Sequence, residues 1–339
     1  MARMLVAVLT VLSALAGAAP IHAGTLSDVV FTDTTPLSAN LEMARRLFTP
    51  LDAAKLPQVL AQNSETLRQQ PLDPAGEKFV LYVPDKAPPQ GYALMVFVPP
   101  WQDATLPGGW GPVLDDRGMI FASAARSGNE ENVFARRVPL ALVAEANVAG
   151  RYRLDPQRIY VAGFSGGSRV AMRIALAYPD VFRGALLDAG SDPIATRQAP
   201  LPSHELFARF QSSRIVFVTG DGDERNLSTD AGSMHTMRRW CVLNVDSVVA
   251  THTGHAIAGG SALSRALDIL EAPPRADAQR LADCNSGLDH DLNGELAQVE
   301  SLITAGDRDG AQRELDDINA RYGGLAAPLS LELSRRITP

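Results

Sequence analysis

One serine in this chain sits where it could act as a nucleophile. The stretch RIYVAGFSGGS, residues 158–168, places Ser165 between Gly163 and Gly167 in the pattern G-x-S-x-G. Small neighbours let a backbone turn so sharply that a hydroxyl stands clear of the elements on either side. A free serine hydroxyl is a poor nucleophile. It needs a histidine to take its proton, an acid to orient that histidine, and backbone N–H groups to hold the oxyanion that attack creates. The same residues could also form a glycine-rich turn whose serine only caps a helix, so the surrounding elements and the missing partners have to decide.

Those elements suit the catalytic reading. Ile159, Tyr160, Val161 and Ala162 form a β-prone run, and from Gly166 apolar residues recur at helical spacing through Val170, Ile174 and Tyr178. Upstream, KFVLYVP (78–84) and YALMVFVPP (92–100) read as two β-runs joined by a Pro-rich turn, an antiparallel pair opening a sheet. From there β-runs and helical patterns alternate. GMIFASA (118–124) precedes a helical stretch 138–150, the serine strand precedes 167–178, and RGALLDA (183–189) precedes 203–211. RIVFVTG (214–220) precedes 228–240, VLNVDSVVA (242–250) is a further β-run, and 261–271 a further helix. Such alternation predicts an α/β fold with a mostly parallel central sheet and helices on both faces, its catalytic residues in loops at the carboxyl ends of the strands.

With the serine motif and this alternation together, residues 76–271 resemble the α/β-hydrolase superfamily, and within it the secreted esterases of the polyhydroxybutyrate depolymerase and feruloyl esterase type. The resemblance implies the α/β-hydrolase fold and a chain order of serine, acid, histidine. Of the six histidines, His22 falls in the N-terminal apolar segment, His204 and His235 inside helical patterns, and His290 in the tail. His252 and His255, in THTGHAI, are left. The resembling families place the base in a Gly-His pair just before the final helix, which implies His255, with His252 as the alternative.

The acid should follow RIVFVTG, where Asp221, Asp223 and Glu224 compete, and the same acidic turn could simply cap the next helix. A glycine at the strand end with the acid three residues later, as in the resembling families, implies Asp223 after Gly220. Asp221 and Asp192, the latter after the preceding strand, are the alternatives. One oxyanion donor should be the N–H of Gly166 and the other should come from the loop after YALMVFV. Here the chain departs from its relatives. Where they carry a His-Gly pair it reads Pro99-Pro100-Trp101-Gln102, and neither proline has an N–H to give. Trp101 or Gln102 would then be the donor. Trp101 and Trp110 flank a Pro/Gly-rich loop, 103–112, expected to overhang the serine, so Trp101, Gln102 and Trp110 are candidate contacts for an aromatic or apolar acyl group. Ordinary packing is the competing role for both tryptophans. Asn129 to Asn132 follow the next strand and could line the pocket, with no spacing to assign them.

At 339 residues the chain can hold one large α/β domain with an appendage, and its net charge of −7 makes no electrostatic case for nucleic acid or an anionic membrane surface. Residues 1–23 read as a signal peptide: Arg3, an apolar run from Met4 to Ala19 too short to span a membrane, then Pro20 and Ile21-His22-Ala23, with cleavage expected after Ala23 or Ala18. That predicts a secreted or periplasmic protein. No cysteine precedes the cleavage site, so no lipid anchor is expected. In an oxidising compartment the only two cysteines, Cys241 and Cys284, tend to pair, but the sequence does not supply the separation that decides it. Two cysteines without a histidine cluster point to no metal site, and no organic cofactor is implied.

The chain is thus expected to divide into a signal peptide (1–23), a lead-in segment (24–76) with helical patterns near 38–48 and 56–69, a hydrolase domain (77–272) and a helical appendage (273–339). The appendage shows helical patterns over 275–283, 292–305 and 309–322 and resembles a single helix-turn-helix unit of tetratricopeptide type. One unit cannot bury its own apolar face, so docking on the hydrolase is expected, and a protein partner could also use it. The functional expectation is a secreted serine hydrolase acting on a small or polymeric carboxylic ester through Ser165, Asp223 and His255. Its rivals are a serine peptidase on the same fold and a binding protein that kept the fold and lost turnover.

Overall fold

A computed structural model describes residues 24–338 apart from Glu65, Pro274 and Ala276; the expected signal peptide lies outside the described residues. Eight strands form one sheet: β1 (Gly24–Val29), β2 (Phe79–Val83), β3 (Tyr92–Val98), β4 (Met119–Ala124), β5 (Leu154–Phe164), β6 (Gly184–Asp188), β7 (Arg214–Gly220) and β8 (Val245–Ala250). Their order is β1-β2-β4-β3-β5-β6-β7-β8. The pairs β1–β2 and β2–β4 are antiparallel and all the others parallel. This is the α/β-hydrolase fold, with a helical segment at its C-terminus.

Side-chain alternation explains why the central strands read as unbroken apolar runs. Along β3, Leu94, Val96 and Val98 join the core on one face of the sheet while Ala93, Met95 and Phe97 join the core on the other. Helices α4 (Val138–Arg151) and α5 (Gly166–Ala177) belong to the first core. Helices α3 (Gly111–Arg117) and α8 (Gly260–Leu270) belong to the second. The expected antiparallel pairing of 78–84 with 92–100 is wrong for the same reason. A strand buried on both faces belongs in the middle of the sheet, and β4 lies between β2 and β3, antiparallel to the first and parallel to the second.

Before the sheet's interior begins, β1 extends its edge, and α1 (Asn40–Leu47) and α2 (Pro50–Gln62) follow. Arg46 fastens α1 to the end of α5 through a bidentate pair with Asp180 at 2.7 and 2.9 Å. Two more helices, α6 (His204–Gln211) and α7 (Glu224–Arg239), follow β6 and β7. The tail forms α9 (Ala278–Thr304), α10 (Arg308–Tyr322) and α11 (Leu329–Ile337), so the patterns over 275–283 and 292–305 belong to one long helix. Leu292, Leu296, Val299, Leu315, Ile318 and Leu333 of this segment join the main core rather than a separate one. Buried Asn319 adds two polar ties, donating to Thr49 Oγ1 and accepting from the Leu51 N–H.

Cys241, just after α7, and Cys284, in α9, form a disulfide with Cα atoms 5.9 Å apart. The bond closes a loop of 43 residues, for which the chain-entropy argument gives about 4 kcal/mol of stabilisation. Cys284→Ser should therefore lower the urea unfolding midpoint. Reductant should lower the wild-type midpoint by a similar amount and leave the variant where it is; equal midpoints for wild type and variant under oxidising conditions would contradict this.

Candidate active site

The chain crosses itself closely at the serine. A Cβ on Gly163 would lie 2.4 Å from the Gly167 carbonyl, and one on Gly167 would lie 1.9 Å from the Val98 oxygen at the end of β3. Neither position admits a side chain, which is the physical content of the two glycines in the motif. Ser165 itself takes φ 53° and ψ −120°, a backbone conformation rare for a residue with a side chain, and its N–H donates to the Asp188 carbonyl at 2.8 Å. The hydroxyl thereby stands at the carboxyl end of β5, above the first turn of α5.

Two further residues complete a hydrogen-bonded line. His255 Nε2 lies 2.9 Å from Ser165 Oγ and Nδ1 lies 2.6 Å from Asp223 Oδ2. With the carboxylate on one side, Nδ1 carries the proton and donates it, leaving Nε2 to accept from the serine hydroxyl. Asp223 caps α7, accepting from the Asn226 backbone N–H at 3.4 Å and from its Nδ2 at 2.8 Å. Burial works against ionisation of Asp223, but the hydrogen bonds from Asn226 and His255 outweigh it and hold the carboxyl below its ordinary value. The acid is 7% exposed and the histidine 46%, so the line runs from the interior to an open surface.

The alternatives sit elsewhere. Asp221 accepts the backbone N–H groups of His252 and Thr253 at 2.9 and 3.1 Å, which tie the acid turn to the histidine loop and hold its carboxyl below the ordinary range. His252 enters that arrangement through its backbone, not its ring. Asp192 pairs with Arg169 and Arg173. Trp110 is a correction: expected to overhang the serine, it is fully buried beneath the site, edge-on to Phe97 and Phe121. Its indole N–H donates to the Ala258 carbonyl at 2.8 Å, a partner such a buried ring needs.

On the other flank, Trp101 leans on Phe164, whose ring stacks on His255 with centroids 5.1 Å apart. Gln102 donates to Glu130 at 3.2 Å. Among the described residues, the backbone N–H groups of Gly166, Trp101 and Gln102 have no hydrogen-bond partner, so both alternatives for the donor after β3 remain open. The Pro-Pro loop is held by its carbonyls instead. Pro100 accepts from the Asn129 N–H and Pro99 from Arg137, whose Nε also binds the Ser127 carbonyl. Arg137 is buried, and desolvation lowers its guanidinium to about 10.

Several of these residues were not foreseen. Asn226 stands three positions after a helix-capping acid, a spacing that capping rules could have flagged. Arg137, Asp188 and Asp230 carry no local signal; only the fold brings them here.

No family model matches the chain and no curated protein does. Solved structures that it matches include a thermophilic esterase from Thermogutta terrifontis, at 20% identity over 59% of this chain and 85% of that one, TM-score 0.41. Est1E from Butyrivibrio proteoclasticus is 14% identical over 59% and 95%, TM-score 0.43. A candidate dipeptidyl aminopeptidase IV from Bacteroides ovatus is 16% identical over 57% of this chain, TM-score 0.41, and the chain spans 32% of that protein's length.

Below the site, Asp188 accepts the Ala258 N–H at 2.7 Å, and Asp230 accepts from the Thr219 hydroxyl. Desolvation raises Asp188 from 3.8 to about 7 and Asp230 to about 6. A folded-state value above the unfolded one means that the stability Asp188 contributes is full below pH 3.8 and is lost as pH rises through about 7. Asp188→Asn should remove much of the fall in thermal midpoint between pH 4 and pH 7, measured by calorimetry; an unchanged slope would show that burial of this carboxyl carries no such linkage.

Proposed function

We propose that this protein is a serine hydrolase that cleaves carboxylic esters through an acyl-enzyme. The observation that carries the reading is the unbroken line of hydrogen bonds from Asp223 Oδ2 through His255 to Ser165 Oγ, 2.6 and 2.9 Å long. Ser165 Oγ attacks the ester carbonyl carbon while His255 Nε2 takes its proton, and the N–H groups of Gly166 and of Trp101 or Gln102 receive the oxyanion. The C–O bond to the alcohol then breaks and His255 returns the proton to the leaving oxygen. Water repeats the sequence on the acyl-enzyme, releasing the acid and restoring Ser165. Asp223, ionised and fixed by its own donors, stabilises the imidazolium that forms at each step.

Esters of the polyhydroxyalkanoate or feruloyl type are the proposed substrates. Support comes from the sequence resemblance and from the half-exposed histidine, which is backed by the Phe164 ring with the partly exposed Trp101 leaning on that ring in turn, an aromatic surround that suits an apolar or aromatic acyl group. Secretion or export to the periplasm belongs to the same proposal and rests on residues 1–23.

A fluorophosphonate should add to wild-type protein at Ser165 and not to Ser165→Ala, with His255→Ala labelled far more slowly, as read by intact mass. Hydrolysis of p-nitrophenyl esters should fall by about ten-thousandfold in either variant. Cleavage of peptide anilides in preference to esters would favour a peptidase. Folded wild type that neither labels nor turns over would leave a hydrolase-fold binding protein.

A further inference from the structure

Asn226 is nearly buried beside the two charged members of the line, and its carboxamide has little freedom. Nδ2 lies 2.8 Å from Asp223 Oδ2 and 3.0 Å from His255 Nδ1, while a Cβ on Gly190 would meet Oδ1 at 3.0 Å. Turning the amide over would set its oxygen against a carboxylate oxygen at hydrogen-bond distance, two acceptors with no proton between them. The orientation is therefore decided by chemistry as well as by packing. Since Nδ1 also carries a proton, the 3.0 Å contact joins two donors. Both converge on one acceptor, Asp223 Oδ2.

We propose that Asn226 is a positioning residue of the triad, its carboxamide fixing the one carboxylate oxygen that receives the His255 Nδ1 proton. The inference rests on the serine-hydrolase reading and names a fourth side chain for it. A capping carboxylate needs only the backbone N–H groups of the first helical turn. This one gains a side-chain donor on the very oxygen the histidine uses, which limits rotation of the carboxylate and favours its ionised form. Other titratable and charged groups around the pair are Asp188 at the end of β6, Asp221 and His252 in the flanking loops, Asp230 on α7 and Arg169 on α5. All of them stay unchanged in the variants that test the idea.

Removing the donor leaves the negative charge on Asp223 Oδ2 less shared, so the His255–Asp223 pair takes up its proton at higher pH, and a second carboxylate at 226 raises that pH further. Asn226→Ala should lower kcat about tenfold with KM little changed and move the acid limb of the kcat/KM profile upward by about one unit. Asn226→Asp, nearly the same shape, should move it further in the same direction. Variants that keep the wild-type acid limb overturn the proposal, whether or not their melting temperature falls. A second readout needs no turnover: the low-field proton resonance of the His255–Asp223 hydrogen bond should shift or broaden in Asn226→Ala, and an unaltered resonance overturns the proposal too. Failure of Ser165 labelling in wild type would remove the hydrolase reading, while this resonance still decides whether Asn226 positions the pair.

Discussion

The arrangement depends on one close approach of backbone to backbone, where the first turn of α5 lies against the end of β3 and against β5. Gly167 at the Val98 carbonyl and Gly163 at Gly167 leave no room for a Cβ. Ser165 is held there at φ 53°, a conformation that costs on the order of 1–3 kcal/mol. That cost is offset by the surroundings: an N–H bond to Asp188 and a helix whose Val170, Ile174 and Ala171 are fully buried in the core. The same packing holds the hydroxyl 2.9 Å from the imidazole Nε2.

Around that fixed point, buried carboxylates are sorted by their donors. Asp223 has a side-chain amide, a helix start and an imidazole to donate to it, and stays ionised despite burial. Asp188 has a single backbone N–H, and Asp230 fewer donors than its depth requires, so both are driven toward the neutral form. Three carboxyl groups near the carboxyl ends of β6 and β7 therefore avoid mutual repulsion. The one facing the histidine bears the charge.

How much of this could be read from residues alone follows from where each constraint resides. The serine turn was legible because its requirements are local: two small residues, a β-run before and a helical period after. The mostly parallel sheet was legible from alternation, whereas the meeting of Asp223 and His255 with Ser165 was implied by the family resemblance and not by local pattern. Strand order was not, because YALMVFV looks the same beside any neighbour; its place between β4 and β5 is decided by helices packing on both faces. Trp110 misled because an indole beside glycines and prolines can be a lid or a core residue, and the deciding contact, Ala258, lies 148 residues away in the chain. Asn226 and Arg137 matter through partners that only the tertiary structure assembles.

Capping and a histidine contact are often weighed as rival explanations of an acid at a helix start, yet one carboxylate, Asp223, does both. A cap fixes the carboxylate at the positive end of α7, and α7 is itself fixed at its far end. There Cys241 is bonded to α9, Trp240 meets Tyr322 of α10 edge-on, and the Trp240 carbonyl accepts from Gln211. Sixteen helical residues separate these anchors from the acid, about 24 Å of rigid rod. A helix free at that end could tilt about its capped start and carry the carboxylate away from the imidazole. The C-terminal segment thus bears on the site without touching it, through the helix that presents the acid.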